Sequence, residues 1–198
     1  EADAEITMEA NPGTVTEENL LAYRACGFNR ISFGLQSVND EELKLLGRVH
    51  TMRQFEESYD LARKTGFHNI NIDLISAIPG QTVASWERTL DTVIRMEPEH
   101  ISAYSLIIEE GTPFYEMYGE AEEKEQDSRC EKCFPEDREQ MDTGKNFPKL
   151  PDEEEERRMY EVTAEKLEAA GYLQYEVSNY AKPGYACRHN KGYWQRME

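Results

Sequence analysis

Four side chains stand where a strand hands over to a loop or where a helix has just closed, and their chemistry is complementary. Glu9 precedes Ala10-Asn11-Pro12-Gly13-Thr14, Gln36 precedes Ser37, Asp73 lies ahead of Pro79-Gly80-Gln81-Thr82, and Arg48 follows Gly47. Carboxylate and amide oxygens accept hydrogen bonds from an amino group or from ribose hydroxyls, while a guanidinium grips a carboxylate in a two-bond fork. The set suits a zwitterionic ligand that carries a ribose. On residue types alone, the same side chains could equally cap helices and solvate loops. A second group sits near the C-terminus, where His189-Asn190 is followed by Tyr193-Trp194; a packed corner and a ligand site are both open for it. Cys130-Glu131-Lys132-Cys133 is a CxxC without a second pair at zinc-ribbon spacing, so metal or redox chemistry there stands against incidental thiols in an acidic loop.

The elements that must position these residues repeat one phrase: a short apolar strand, a polar turn, an amphipathic helix, then Gly and an aromatic. Strands are expected over 5–9, 30–35, 69–77, 100–107 and 174–177, and helices over 16–26, 40–46, 52–64, 83–96 and 152–170. Thr14 or Thr16, Asn39, Thr51 and Thr82 occupy N-cap positions, and Gly27, Gly47, Gly66 and Gly171 occupy the position just past a helix end. Alternating strands and helices imply parallel pairing. Ile70-Asn71-Ile72-Asp73-Leu74-Ile75 mixes apolar and polar residues with period two, as expected when one face meets helices and the other lines a barrel interior or cleft. Five units fall short of a closed eightfold barrel, which predicts an α/β fold: a partial (β/α) barrel or open parallel sheet with its functional groups at the C-terminal strand ends.

The 198 residues include 40 acidic and 22 basic side chains, a formal net charge of −18, with 38% hydrophobic residues. Half of that excess falls between 120 and 156, where 15 acids meet 6 bases. The expected organisation is therefore 1–119 as the central part of the barrel, 120–151 as an acidic insertion, and 152–198 as a last helix-strand unit with the His189 segment. Such acidity argues against binding a nucleic-acid backbone, which rests on Lys and Arg neutralising phosphates. No run approaches the length of an apolar membrane span. Four scattered cysteines do not make a secreted disulfide framework, so a cytoplasmic location is expected. The start, Glu1-Ala2-Asp3, has neither Met nor a signal-peptide pattern and reads as the interior of a longer chain.

Several multi-residue motifs occur in a fixed order: Met8-Glu9-Ala10-Asn11-Pro12-Gly13-Thr14, Asn29-Arg30-Ile31-Ser32-Phe33-Gly34-Leu35-Gln36-Ser37, Leu46-Gly47-Arg48-Val49-His50, the stretch from Asn71 to Thr82, and Glu110-Gly111-Thr112-Pro113-Phe114. In these the chain resembles radical S-adenosylmethionine (SAM) proteins related to oxygen-independent coproporphyrinogen III oxidase, over nearly its whole length outside the insertion. His189-Asn190-Lys191-Gly192-Tyr193-Trp194 fits an HNxxYW motif that looks like the mark of the HemW-type heme chaperones. The resemblance implies that Glu9, Gln36, Arg48 and Asp73 hold SAM, with Arg48 on the methionine carboxylate, Gln36 and Asp73 on the ribose, and the backbone near Ile107 against the adenine. It also implies heme as a ligand, with His189 as an axial or nearby ligand beside Asn190, Tyr193 and Trp194, and a heme-acceptor protein as partner.

One departure limits what these residues can do. The family's CxxxCxxC motif, which carries a [4Fe-4S] cluster, does not occur in the sequence. Cys130 and Cys133 have the wrong spacing to replace it, and the motif is expected ahead of Glu1. Residues 1–198 alone are therefore expected neither to bind the cluster nor to cleave SAM reductively. The leading expectation for the longer protein is a heme-binding radical SAM chaperone. The alternative is oxygen-independent coproporphyrinogen III dehydrogenase, whose tetra-anionic substrate calls for added Arg and Lys. A (β/α) enzyme with a phosphate site is disfavoured, because no Gly-rich cradle follows a strand.

Overall fold

The computed structural model describes residues 3–119 and 148–195. Most of the acidic stretch, with Cys130 and Cys133, lies outside the described residues. The chain forms two units, 1–105 with 150–198, and 106–149.

The first unit is a six-stranded sheet in the order β1-β2-β3-β4-β6-β5. Strands β1 (Thr7–Ala10), β2 (Arg30–Gln36), β3 (Ile70–Ser76) and β4 (His100–Ser105) run parallel in chain order. Between them come α1 (Glu17–Ala25), α2 (Asp40–Leu45), α3 (Met52–Lys64) and α4 (Val83–Arg95). Strand order that follows chain order without reversal is that of a barrel wall, whereas a doubly wound sheet reverses at a switch point. Helix α5 (Glu153–Ala169) precedes β5 (Leu173–Gln174) and β6 (Asn179–Ala181), and α6 (Arg188–Trp194) follows. The strand expected over 174–177 is corrected: the chain turns there, and β6 returns antiparallel to both β4 and β5. The turn is held by Glu176, whose Oε1 accepts from the Ser178 N–H at 3.1 Å and from the Asn179 amide. Strand β4 also ends at Ser105, two residues short of Ile107.

Period-two alternation divides the sheet. Ile31, Phe33, Leu35, Ile70, Ile72, Leu74 and Ile101 point to one side and share a fully buried cluster with Leu20, Phe55, Ala62, Trp86, Leu90, Met159 and Leu167 of the helices. Each such side chain contributes roughly 1.5–3 kcal/mol. Trp86 also ties α4 to α5, its Nε1 donating to Thr163 Oγ1 at 2.8 Å and to the Met159 carbonyl at 3.2 Å. The helix boundaries follow their caps. Thr16, Thr51, Thr82 and Asp152 close capping boxes, and Asn39 caps α2. At the other end, the Gly-aromatic phrase closes α1 with Gly27 N to Arg24 O at 3.0 Å and Phe28 N to Tyr23 O at 3.1 Å, and α3 and α5 end on the same pair of bonds.

In the second unit, residues 115–119 form a π-helical turn, Phe114 stacks on Tyr118 at 5.8 Å, and the Tyr118 hydroxyl donates to the Pro148 carbonyl at 3.0 Å. Ile107 belongs to this unit and its side chain is exposed.

Candidate functional site

The face of the sheet opposite the helices is polar, and register alone assembles it. Glu9 pairs with Ser32, Ser32 with Asn71, and Asn71 with His100; one step along, Gly34 pairs with Asp73, Asp73 with Ser102, and Ser102 with Asn179. Every second residue of a strand points the same way, so two rows of side chains cross four strands. Asp73 sits at their centre. Its Oδ2 accepts from Ser32 Oγ at 2.9 Å and its Oδ1 from Asn71 Nδ2 at 2.8 Å. Glu9 lies on the other side of Ser32 at the edge of the sheet. Desolvation, then the Asp73 charge, raise its pKa above the ordinary glutamate range, opposed by Ser32 and by Arg30. Neither acid has an ion-pair partner among the described residues, so this part of the face favours a cation or a hydrogen-bond donor.

Gln36 ends β2 past an irregularity in the pairing between Gly34 and Gln36, with φ at +72° and its side chain buried. A left-handed backbone is uncommon for a residue with a Cβ and marks local strain. The amide lies back over Gly34: a Cβ at position 34 would stand 3.0 Å from Gln36 Nε2. The absence of a side chain at Gly34 is what makes room for it. The next residues are pinned by the buried Glu42, whose Oε2 accepts from Ser37 Oγ at 2.6 Å and from Gln81 Nε2 at 2.9 Å. One carboxylate thereby joins the loops that follow β2 and β3.

Arg48 is carried by the end of α2. Gly47, at φ +69°, permits the left-handed turn, and the Arg48 N–H donates to the Leu43 carbonyl at 2.9 Å. Two residues on, buried His50 places Nε2 3.1 Å from the Leu35 carbonyl, which fixes this segment beside the end of β2. Burial lowers the His50 pKa, so the ring is neutral and donates that bond. Arg48 is half-buried as a residue and makes no ion pair among the described residues.

The His189 segment forms α6, a seven-residue helix. His189 and Tyr193 are four residues apart on one exposed face, and Trp194 is also exposed, its ring edge-on to Tyr193 at 6.3 Å. Asn190 is half-buried and donates from Nδ2 to the Tyr175 hydroxyl at 3.2 Å. Glu9, Gln36 and Asp73 are thus brought to the polar face and its rim, Arg48 is set in the segment tied to the β2 end, and the α6 residues form a separate surface. Among the described residues, no group of three or more His, Cys, Asp or Glu is placed to hold a metal ion.

The chain has extensive similarity to known proteins. It is 37% identical to the heme chaperone HemW of Bacillus subtilis and 39% identical to that of Escherichia coli, in each case over 98% of this chain and 45% and 44% of the relative. The bovine radical S-adenosyl methionine domain-containing protein 1, mitochondrial, is 36% identical over 98% of the chain and 38% of its own length. Residues 1–93 match the model of the radical SAM superfamily. Residues 1–93 carry the radical SAM pattern. Among solved structures, Escherichia coli coproporphyrinogen III oxidase (HemN) superposes on 98% of this chain and 38% of its own, with a TM-score of 0.70 and 26% identity. The chain spans less than half the length of these relatives.

The sequence reading picked out Glu9 and Gln36 near their strand ends and Asp73 within β3, but missed Ser32, Asn71, His100, Ser102 and Tyr175, which complete the polar face. The signal was present as period-two polar residues in Arg30-Ile31-Ser32, Asn71-Ile72-Asp73 and His100-Ile101-Ser102. Glu176 serves the β5-β6 turn.

Proposed function

We propose that this chain is the central part of a heme-binding radical SAM protein of the HemW type, with SAM on the polar rim and heme on α6. The observation that carries the reading is the Asp73 carboxylate, fixed by two donors with no cation paired to it among the described residues, in a chain 37–39% identical to HemW. The donor set fits SAM. Gln36 and Asp73 would accept from the ribose hydroxyls, Glu9 from a hydroxyl or the amino group, and Arg48 would pair with the carboxylate. Bound SAM supplies a sulfonium that radical chemistry can reduce. The protein's own part is to orient the ligand through these groups and to hold their charges in place. The [4Fe-4S] cluster has no ligand set among the described residues, and the reading assigns it to a part of the longer protein outside this sequence.

Heme would lie against α6, where Tyr193 and Trp194 offer apolar faces and His189 an imidazole; Asn190 of the same motif has its amide turned to Tyr175. Delivery to a heme-acceptor protein follows from the same reading. So do the division into 1–119, 120–151 and 152–198, and a cytoplasmic location, with which the free thiols of Cys26 and Cys187 agree. Among the described residues no helix is long and apolar enough to cross a membrane.

Two variants of the intact protein test the two halves. Asp73→Asn weakens SAM binding in calorimetry at least tenfold and leaves heme titration unchanged. His189→Ala weakens heme binding and leaves SAM affinity unchanged. An unaltered SAM affinity in Asp73→Asn removes the rim from the ligand site. Conversion of coproporphyrinogen III by the intact protein, with heme binding unaffected by His189→Ala, would favour the dehydrogenase instead.

A further inference from the structure

We propose that Asn190 and Tyr175 are positioning residues for the Asp73 carboxylate, acting through a one-way file of hydrogen bonds that crosses the polar face. This rests on the reading of Asp73 as a ligand-binding group and adds how that group is held.

The direction of the file is forced at each step. Ionised Asp73 only accepts, so Asn71 must turn its NH2 toward it; the two amide hydrogens go to Asp73 Oδ1 at 2.8 Å and to Ser32 Oγ at 2.9 Å. Asn71 Oδ1 then faces the other way, where it lies 2.5 Å from His100 Nδ1 and 3.1 Å from Ser102 Oγ, whose single proton is shared with Asn179 Oδ1 at 2.8 Å. A carbonyl oxygen cannot donate, so His100 Nδ1 carries the proton. His100 is fully buried, and burial together with the nearby Arg30 lowers its pKa to about 3, which keeps the ring neutral. Its Nε2 is therefore an acceptor, and the Tyr175 hydroxyl, 2.7 Å away, donates to it. Having given its proton, that hydroxyl accepts from Asn190 Nδ2 at 3.2 Å. Reversing the file would set the Asn71 carbonyl against the Asp73 carboxylate, acceptor against acceptor.

The arrangement has a consequence at the rim. Donors from Asn71 and Ser32 occupy one lone pair on each Asp73 oxygen and fix the plane of the carboxylate, which leaves the remaining lone pairs for ligand hydroxyls. Loss of the Tyr175 hydroxyl strands a buried acceptor on His100. The ring keeps its proton on Nδ1 but is no longer held from its far side, so the Asn71 amide that it anchors, and with it the Asp73 carboxylate, is less firmly oriented. The C-terminal helix and the rim of the sheet, 117 positions apart in sequence at Asn190 and Asp73, are joined in this way.

The test uses the intact protein and two readouts. In 15N spectra of the labelled imidazoles, taken without SAM, His100 should carry its proton on Nδ1 and leave Nε2 bare, and Tyr175→Phe should keep that tautomer while moving the Nε2 resonance toward that of an imine nitrogen without a donor. A proton on Nε2 in the unmodified protein overturns the proposal. In SAM calorimetry, Asn190→Ala, a change at a half-buried side chain that keeps the fold even where Tyr175→Phe does not, should weaken binding about three- to tenfold. In an Asp73→Asn background it should have no further effect. Full additivity of the two substitutions overturns the positioning role while leaving Asp73 in the ligand site. An unchanged affinity for Asp73→Asn alone overturns the ligand reading, and the positioning role falls with it.

Discussion

Gly34→Ala separates the site from the fold, because the two respond with opposite sign. The backbone at position 34 is extended and the residue lies within β2, so a Cβ there causes no backbone strain. Replacing a strand glycine by alanine removes unfolded-state freedom and is worth roughly 0.5–1 kcal/mol in favour of the fold. The new Cβ meets one close neighbour, Gln36 Nε2 at 3.0 Å, the far end of a flexible side chain that can swing aside. The cost falls on the site. Displacing the Gln36 amide forfeits one neutral hydrogen bond to the ligand, about 0.5–1.5 kcal/mol, or roughly a 2- to 12-fold weaker SAM complex. Gly47→Ala is the control. Its Cβ would meet nothing within 4 Å, but φ is +69°, so the cost is about 1–2 kcal/mol of backbone strain. Urea unfolding and SAM calorimetry of the intact protein read both quantities. Gly34→Ala should be as stable as the parent or more so, with weaker binding, and Gly47→Ala should be less stable. Undiminished SAM affinity in Gly34→Ala would remove the Gln36 amide from the site.

Two further outcomes follow from the core. Trp86→Phe removes the donor shared by Thr163 Oγ1 and the Met159 carbonyl and leaves a void in a fully buried position, so stability should fall by about 2–4 kcal/mol in urea unfolding; a loss below about 0.5 kcal/mol would contradict the packing of α4 on α5. His100 gives the unfolding free energy a pH dependence of definite sign. Its folded pKa, about 3, lies below the ordinary 6.5, so between those values the unfolded chain binds a proton that the folded chain refuses. Its contribution is complete above about pH 6.5 and is lost as pH falls toward 3, at up to about 1.4 kcal/mol per unit. His100→Gln should flatten that limb in urea titrations between pH 4 and 6.5, and an unchanged slope would show that His100 takes up its proton in the folded protein.

The parts of the fold visible in the sequence are those governed by neighbours along the chain. The boundaries of α1, α3 and α5 depend on a cap residue, a partner three positions on and a glycine past the end, all within a few residues, whereas α4 starts from the same kind of cap at Thr82 but closes on Glu97 at φ +54° without a glycine. The first four strands follow from apolar runs between those helices. The antiparallel return of β6 does not. The Tyr175-Glu176-Val177-Ser178 segment has the composition of a strand, but Glu176 caps the backbone N–H of Ser178 and the amide of Asn179, and this local closure turns the chain.

The site divides in the same manner. Glu9, Gln36 and Asp73 are legible because a parallel α/β sheet presents strand ends at one rim, and Arg48 because a glycine closes α2 just before it. What holds Asp73 is not legible, since Asn71 meets His100 only through the register of β3 on β4. Tyr175 reaches His100 only because the chain doubles back after β5. Hydrogen-bond direction adds a condition that no sequence pattern carries: the negative charge on Asp73 orients Asn71, Asn71 selects the protonated nitrogen of His100, and that nitrogen determines what Tyr175 must donate. A position such as Asn190, which the motif resemblance groups with His189 beside a heme, meets Tyr175 only at the far end of this sequence of constraints. The functional contribution of the HNxxYW segment is therefore divided between its two leading residues: His189 faces outward on α6, and Asn190 supports the rim from within.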